Sequence, residues 1–297
     1  MKSRKLRNKP LDKSSARLAS SERTVRAIYR KLSRSWGPQH WWPAETPFEV
    51  IAGAILTQNT SWTNVERALI NLRVAGVLSV EGIRGLPLVE LEQLVRSSGY
   101  FRQKALRLKN FIAFLDEKHG GSLDAMFSTP TQQLRAELLA QNGIGPETAD
   151  SILLYAGHHP IFVVDAYTRR VLERHDAVAH DAKYDEIRAV VEHALQREEP
   201  LPKVANKERS REQRPDAHPP SAMSTASRVP LAQVYNEMHG LFVQLGKHYC
   251  HKREPRCEVC PLGAMLTRPI SFEPPKKQKR PPLARRPASN SQAKPQV

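Results

Sequence analysis

Residues 138–172 read LLAQNGIGPETADSILLYAGHHPIFVVDAYTRRVL, and they carry the strongest local pattern in the chain. A segment with helical spacing stops at Asn142, a turn with two glycines follows, and Pro146 stands where the first turn of a helix tolerates proline. The pattern predicts two helices joined by a short hairpin. Because glycines admit a phosphate close to the backbone and helix-opening amides favour anions, we predict phosphate binding at Gly143 and Gly145. The alternative is a turn between two ordinary packed helices.

Asp165 stands twenty residues after Gly145, between the apolar run IFVV at 161–164 and a further segment of helical spacing. A carboxylate at the start of a helix is often a plain N-terminal cap. Directly after an apolar run it can also be partly buried and face a cleft. There a carboxylate stabilises positive charge that develops on a sugar, or it activates a water. The sequence leaves both roles open.

Most of the remaining chain has apolar residues at spacings of three and four, which predicts one helix after another. The segments with this spacing are 48–56, 64–72, 104–119, 134–139, 147–156, 167–175, 184–195 and 231–245. The β-branched run at 161–164 allows a short strand, but it is too brief and isolated to begin a sheet. We therefore predict an all-α fold.

The formal net charge of +16 is concentrated at the two ends of the chain. Residues 1–21 and residues 270–297 each hold seven lysines and arginines against one acid, so each end carries +6 and the middle only +4. Basic tails are typical of polyanion binding, above all to DNA, although they can also serve solubility alone. Three segments rich in Pro, Ser and charge are predicted to be disordered: 1–22, 197–230 and 269–297.

The chain lacks the sequence signals of a membrane protein. No apolar run approaches the roughly 18 residues of a membrane helix, and the first residues, MKSRKLRNKPLDKSS, lack the apolar region of a secretory signal. We expect a soluble, cytoplasmic protein that associates with the nucleoid and has no membrane partner.

The hairpin followed downstream by Val164-Asp165 resembles the endonuclease III superfamily of helix-hairpin-helix DNA glycosylases, over most of residues 25–262. The resemblance implies that Asp165 is the essential carboxylate and that Gly143, Ile144 and Gly145 clamp a DNA phosphate. It also implies two helical domains with a cleft for a flipped base between them. We place a six-helix domain at 44–158 and a second domain at 23–43 plus 159–268.

Glu147 occupies the position at which bifunctional members of that superfamily carry a lysine. There the amine attacks the sugar, forms a Schiff base and nicks the strand. A carboxylate cannot form an imine, so the resemblance implies hydrolysis by water and an intact abasic strand. Glu147 can also complement the dipole of its helix as an ordinary first-turn acid.

The stretch WWPAETPFEVIAGAILTQNTSWTNVERALINLR at 41–73 is similar to the base pocket of bacterial 3-methyladenine DNA glycosylases. The similarity implies aromatic walls from Trp41, Trp42 and Trp62, with Gln58 filling the gap left by the flipped base. Stacking on tryptophan suits an electron-poor methylated purine. The alternative is that the tryptophans belong to the core. Ala166 departs from that branch, which carries a lysine directly after the aspartate.

The stretch SGYFRQKALRLKNF at 98–111 also resembles the superfamily. Its basic residues Arg102, Lys104 and Arg107 are candidates for contact with the DNA backbone. The alternative is a solvated helix face.

The three cysteines all lie within residues 250–260, which favours a metal site over a disulfide framework. The spacing of Cys250, Cys257 and Cys260 matches the first three ligands of the iron–sulfur loop of endonuclease III, but Leu266 stands at the fourth position. A [4Fe–4S] cluster with an unusual fourth ligand, another metal with a nearby histidine, and a metal-free loop all remain open. Candidate histidines are His248 and His251, and the loop is basic through Lys252, Arg253 and Arg256.

The sequence as a whole predicts a monomeric glycosylase of base-excision repair that acts on double-stranded DNA. The expected substrate is an alkylated purine, released without strand cleavage. A bifunctional glycosylase/lyase and a DNA-binding module without catalysis are the two rival interpretations.

Overall fold

The computed structural model describes residues 13–200, residues 218–267 and residue 270, and these ranges contain helices but no β-strand. The predicted all-α fold is confirmed. The helices are α1 (Lys13–Trp36), α2 (Pro47–Leu56), α3 (Trp62–Val74), α4 (Val80–Gly85), α5 (Leu88–Leu94), α6 (Phe101–His119), α7 (Leu123–Phe127), α8 (Thr131–Leu139), α9 (Pro146–Ser151), α10 (Ala166–Arg174), α11 (Tyr184–Leu195), α12 (Ala222–Thr225) and α13 (Pro230–His248). None of them is both long and apolar enough to cross a membrane.

Local sequence explains where several helices begin and end. Helix α2 starts at Pro47 behind Thr46, whose side chain accepts a hydrogen bond from the amide of Glu49. Such caps stabilise a helix by about 1 kcal/mol. Helix α6 ends at Gly120, which adopts the left-handed conformation, φ +60°, that glycine tolerates best.

The helices pack in two groups that share a continuous apolar core. Helix α2 packs against α3, α6 and α9, while α1 packs against α11 and α13, and α10 against α13. Contacts of α13 with a π-helical turn, Ile152–Ala156, connect the groups. Each large apolar side chain buried in this core contributes roughly 1.5–3 kcal/mol. The proposed domain boundaries, near residues 44 and 158, fall in non-helical segments.

Parts of the segments predicted to be disordered have defined structure. Residues 13–22 belong to α1, so the predicted N-terminal tail is too long, and Ser21 is buried where the helix meets the core. The start of the insertion is attached to α1 by an ion pair between Arg30 and Glu198, 2.7 Å apart. Its last part, from residue 218, includes α12 and is therefore also structured. The rest of the predicted tails and insertion lies outside the described residues.

The apolar run at 161–164 is buried and extended but pairs with no strand among the described residues. Side chains of α11 accept hydrogen bonds from two of its backbone amides instead. The amide of Phe162 donates to Glu192, 2.9 Å, and that of Val164 donates to the Tyr184 hydroxyl, 3.2 Å. This apolar segment brings the chain back to the core directly before Asp165.

Candidate active site

The predicted hairpin joins α8 to α9 and has the geometry that its glycines indicate. Gly143 has φ +84°, and the side chain of Arg107 occupies the space that a Cβ at Gly143 would need. Ile144 is buried and anchors the turn. Gly145 caps α9, and no heavy atom lies within 4 Å of the position that its Cβ would take. Only glycine therefore fits easily at Gly143, and the approach to Gly145 is open.

A cleft of about 540 Å³ opens beside the hairpin. Its lining combines the end of α2 with the hairpin and the first turn of α9: Ala54, Thr57, Gln58, Asn59, Arg107, Gly143, Ile144, Gly145, Glu147, Thr148 and Ser151. The side chains predicted from two separate stretches of sequence thus meet in one concave surface.

Gln58 is fixed at the edge of this cleft by the hairpin itself. Its Nε2 donates to the carbonyl oxygen of Gly143, 2.8 Å, and to the hydroxyl of Thr148, 2.9 Å. Its Oε1 accepts a hydrogen bond from Arg107. Both ends of the amide are therefore used, which holds the side chain in one orientation next to the turn.

Asp165 caps α10 and also approaches a buried histidine. Its Oδ1 accepts a hydrogen bond from the amide of Thr168, 2.7 Å. Its Oδ2 lies 3.6 Å from Nε2 of His239 on α13. Burial alone raises the pKa of Asp165, but the charge of His239 and the hydrogen bonds from Thr168 outweigh it, so the pKa lies below its usual value. Asp165 is therefore both a cap and an ionised carboxylate.

His239 is a site residue that sequence reasoning missed. It is 4% exposed, and its ring lies within 6 Å, centroid to centroid, of Trp41 and Tyr155. The available signal was weak: a histidine within the largely buried helix α13, where a satisfied core histidine is the common outcome. Its proximity to Asp165 depends on how α10 packs on α13.

Glu147 lies at the start of α9 within electrostatic range of Asp165. Its side chain is solvent-exposed, because it faces the open cleft, yet the cleft walls surround the carboxyl group with protein. This partial desolvation, together with the charge of Asp165, raises the pKa of Glu147 to about 7, although His239 opposes the shift. The two carboxyl groups thus differ in protonation near neutral pH.

The three predicted tryptophans form one cluster with Trp42 at its centre. The ring of Trp42 meets Trp41, Trp62 and Tyr155 at centroid distances of 5.4, 5.1 and 5.3 Å. Trp42 is 5% exposed, as the core alternative predicted, whereas Trp62 is only partly buried. The indole N–H groups of Trp42 and Trp62 have no hydrogen-bond partner among the described residues. Through Trp41 and Tyr155 the cluster borders His239, which in turn lies beside Asp165.

The structured end of the insertion packs onto this aromatic cluster. Ser221 accepts a hydrogen bond from the amide of Ala44, 3.2 Å, and the amide of Met223 donates to the Ala44 carbonyl oxygen, 3.0 Å. The ring of His218 lies 5.9 Å from that of Trp41. The insertion was not expected to contact the site, because its composition gives no apolar periodicity.

The basic residues of α6 have three different environments. Lys104 is 1% exposed, and its ammonium group donates to the carbonyl oxygens of Leu56, 2.9 Å, and Ser98, 2.5 Å. For Lys104, both predicted alternatives, contact with the DNA backbone and a solvated helix face, are therefore wrong. Carbonyl partners of this kind are what a buried lysine such as Lys104 needs. Arg107 lines the cleft and donates a hydrogen bond to Gln58, whereas Arg102 stays exposed with its guanidinium 5.7 Å from the ring of Phe101.

The cysteine loop packs against the C-terminal half of α10. Nη1 of Arg174 lies 3.1 Å from Sγ of Cys250 and donates to the carbonyl oxygen of His251, 2.8 Å. Nε of Arg170 donates to the carbonyl oxygen of Cys250, 2.7 Å. Arginine side chains of α10 therefore hold the loop in place.

The residues of this loop do not fit a four-thiolate cluster. The cavity among the three cysteines measures about 10 Å³, which is the room for about one water. Leu266 lines it at the position of the fourth ligand, and Cys250 already accepts the hydrogen bond from Arg174. Within the described residues, no group of three or more His, Cys, Asp or Glu side chains is placed to hold a metal ion. The alternative with His248 or His251 as a ligand gains no support.

Comparison with known proteins identifies the family of this chain. Residues 52–197 match the HhH-GPD superfamily of base excision DNA repair proteins. A candidate DNA repair glycosylase of Methanocaldococcus jannaschii is 40% identical over 236 residues, which cover 79% of this chain and 92% of that protein. The chain belongs to this superfamily.

Further relatives lie in the same group of base-excision glycosylases. Endonuclease III of Thermotoga maritima is 24% identical over 214 residues, covering 72% of this chain and 79% of that protein. Among solved structures, the 3-methyladenine DNA glycosylase of H. pylori, crystallised with 1,N6-ethenoadenine, superimposes with a TM-score of 0.60. It is 28% identical and covers 76% of this chain and 97% of its own. The resemblance to the endonuclease III superfamily is confirmed, and this superfamily member is a base-excision DNA glycosylase.

Proposed function

We propose that this superfamily member is a monofunctional glycosylase that hydrolyses the glycosidic bond of a damaged base flipped out of double-stranded DNA. The observation that carries the proposal is the electrostatic coupling of an ionised Asp165 with Glu147, a residue of the cleft lining whose pKa is about 7. Two carboxyl groups whose pKa values are pushed apart are the usual equipment for glycoside hydrolysis.

Asp165 supplies the electrostatic part of the reaction. As the bond to the base breaks, the sugar acquires oxocarbenium character, and a nearby anion lowers the energy of that state. The hydrogen bond from Thr168 and the approach of His239 keep the carboxylate ionised in spite of its burial. An aspartate with these contacts can therefore act without any change in its own protonation.

Glu147 supplies the proton acceptor for the attacking water. It lines the cleft at the position where the superfamily resemblance puts a lysine that attacks the sugar. A carboxyl group with a pKa of about 7 is partly ionised at neutral pH and accepts a proton efficiently there. Water attacks the sugar, one of its protons passes to Glu147, and the base departs with the electrons of the glycosidic bond.

Lyase activity is not supported, because the cleft lining contains no lysine among the described residues. Lys104 is sequestered by two carbonyl oxygens and cannot reach a substrate without breaking both hydrogen bonds. With no amine to form an imine, the reaction ends at an abasic site in an intact strand.

An alkylated purine is the substrate class that the tryptophan cluster supports best. Electron-poor methylated bases gain from contact with indole rings, and Trp62 is the partly buried member of the cluster. The H. pylori relative is a 3-methyladenine glycosylase solved with an ethenoadenine, which adds weight to a modified purine. The hairpin around Gly145 would hold the DNA phosphate while Gln58 fills the gap in the duplex. We propose that a single chain acts alone and without an iron–sulfur cluster.

The test is base release from methylated duplex DNA, with strand breaks measured before and after alkali. We expect release of methylated purines and breaks that occur only after alkali. Breaks without alkali, or a covalent adduct trapped by borohydride, would contradict the monofunctional proposal. Absence of release from methylated DNA, but release from oxidised, deaminated or mismatched DNA, would overturn only the substrate class.

A further inference from the structure

His239 lies next to Asp165, and its ring nitrogens make no hydrogen bond to the described residues. Both ring nitrogens are buried, and neither has a hydrogen-bond partner among the described residues. A buried polar group without a partner costs free energy, so a group of this kind usually has a functional or structural role. Nε2 lies 3.6 Å from Oδ2 of Asp165, and a shift of roughly half an ångström would bring the pair into hydrogen-bonding range.

The carboxylate of Asp165 is held on one side only. Its Oδ1 is fixed by the amide of Thr168, but Oδ2 has the His239 ring as its polar neighbour. The ring is itself constrained, because Trp41, Tyr155 and Phe162 surround it at centroid distances of 5.9, 5.7 and 6.4 Å. A rigid donor next to the free oxygen is the arrangement that fixes the orientation of a carboxylate.

We propose that His239 is a positioning residue for Asp165: its Nε2 donates a hydrogen bond to Oδ2 when damaged DNA is bound and holds the carboxylate oriented and ionised toward the sugar. The inference rests on the proposed function, in which Asp165 faces the developing positive charge. The proposed step changes hydrogen bonding alone and neither forms nor breaks a covalent bond.

The electrostatics of the surrounding groups agree with this role. Asp165 on α10 and Glu147 on α9 are the acids that face the histidine, and Tyr155 of the π-helical turn lies beside them. His239 lowers the pKa of both carboxyl groups. Its removal takes away a contribution that opposes burial at both groups, so the pKa of Asp165 and that of Glu147 both rise. The acid limb of the activity profile therefore moves to higher pH when His239 is replaced.

The experiment compares His239→Phe with His239→Gln in the full-length protein. Phe keeps an aromatic ring in the aromatic surroundings but removes the donor, whereas Gln retains an N–H donor. Single-turnover base release is measured from about pH 5 to about pH 9, together with DNA affinity and Tm. We expect about a 10- to 100-fold lower rate for His239→Phe, with unchanged DNA affinity and the acid limb at higher pH. His239→Gln should recover part of the rate and shift the limb less.

Combination with Asp165→Asn separates this inference from the function on which it rests. If His239 acts through Asp165, His239→Phe causes no further loss in the Asp165→Asn background. The inference would be overturned if both histidine variants lost the same rate, had a lower Tm and kept the pH profile of the unmodified protein. That result would mean that His239 has a structural role. Full activity of His239→Phe beside an inactive Asp165→Asn would also overturn the inference. Full activity of Asp165→Asn would instead overturn the proposed function. If His239→Phe fails to fold, the pH profile of His239→Gln decides.

Discussion

Helix α10 has Asp165 at its N-terminal end and Arg174 against the cysteine loop at its C-terminal end. At the first end the residues match the superfamily pattern, in which the hairpin, the apolar run and the aspartate follow one another along the chain. At the second end the spacing of three cysteines matches, but the fourth ligand is Leu266 and arginines make the contacts that hold the loop.

The contrast reflects what each end has to do. Stabilising a positive charge on a sugar requires a negative group at one point, and few side chains can replace a carboxylate. Holding a loop requires only enough favourable contacts in total, and hydrogen bonds from a guanidinium to carbonyl oxygens can provide them. We therefore expect substitutions at the first end to affect rate, and substitutions at the second end to affect stability.

The largest effect is expected for Asp165→Asn. Asparagine caps a helix as well as aspartate does, so Tm and DNA affinity should change little. The loss of the negative charge should lower single-turnover base release by about 1000-fold or more. Asp181→Asn, at an exposed aspartate, is the matched control and should leave the rate unchanged. A large fall in Tm with a modest fall in rate would mean that Asp165 is chiefly a cap and would erase the contrast between the two ends.

Glu147→Gln should lower the rate by about 100-fold, because amide nitrogen and oxygen cannot take the proton from water. In the unmodified protein the rate should rise with pH through about 7, since Glu147 must lose its proton before it can act as the acceptor. That inflection should vanish in the variant, and Glu90→Gln, an exposed acid of α5, should retain it. A rate that falls as pH rises through this range would instead make Glu147 a proton donor.

The contrast also shows what the sequence can and cannot reveal. The hairpin and Asp165 were predictable because their signals are local: glycines in a turn, and an acid between an apolar run and a helix. His239 and Arg174 were not, because each acts across helix packing, and Arg174 is 76 residues from Cys250. Periodicity also missed the short helices α4, α5 and α7, which have too few turns to display a repeat.

For other residues, the sequence predicted an environment that differs from the one in the structure. Lys104 belongs to a basic segment, which favours a surface role, yet its ammonium group is buried between two carbonyl oxygens. The end of the insertion has the composition of a linker, but Ser221 and Met223 bond to the backbone of Ala44. In both cases a few specific hydrogen bonds outweigh a compositional tendency that is averaged over many residues.

Arg174→Ala tests the second end of α10. It removes hydrogen bonds to Cys250 and His251, and their loss should destabilise the protein by about 1–3 kcal/mol with little change in base release below the transition. Thermal and urea unfolding provide the measurement. Arg174→Lys should recover only part of the stability, because an ammonium group cannot reproduce the guanidinium contacts. A metal chelator should leave the Tm unchanged, whereas a fall would indicate that a metal holds the loop.

The smallest effect is expected for Cys257→Ser. The side chain is only partly buried, and no hydrogen bond from Arg174 reaches it, so the change should cost less than about 1 kcal/mol and leave base release intact. Cys250→Ser is the matched comparison and should cost more, because that cysteine is buried and accepts the Arg174 hydrogen bond. If the loop were instead built around a cluster, the two variants would be similarly damaging, since loss of any ligand opens the site. A cluster would also give the purified protein a visible absorbance band, and Cys257→Ser would abolish it. That result would show that both ends of α10 follow the superfamily pattern.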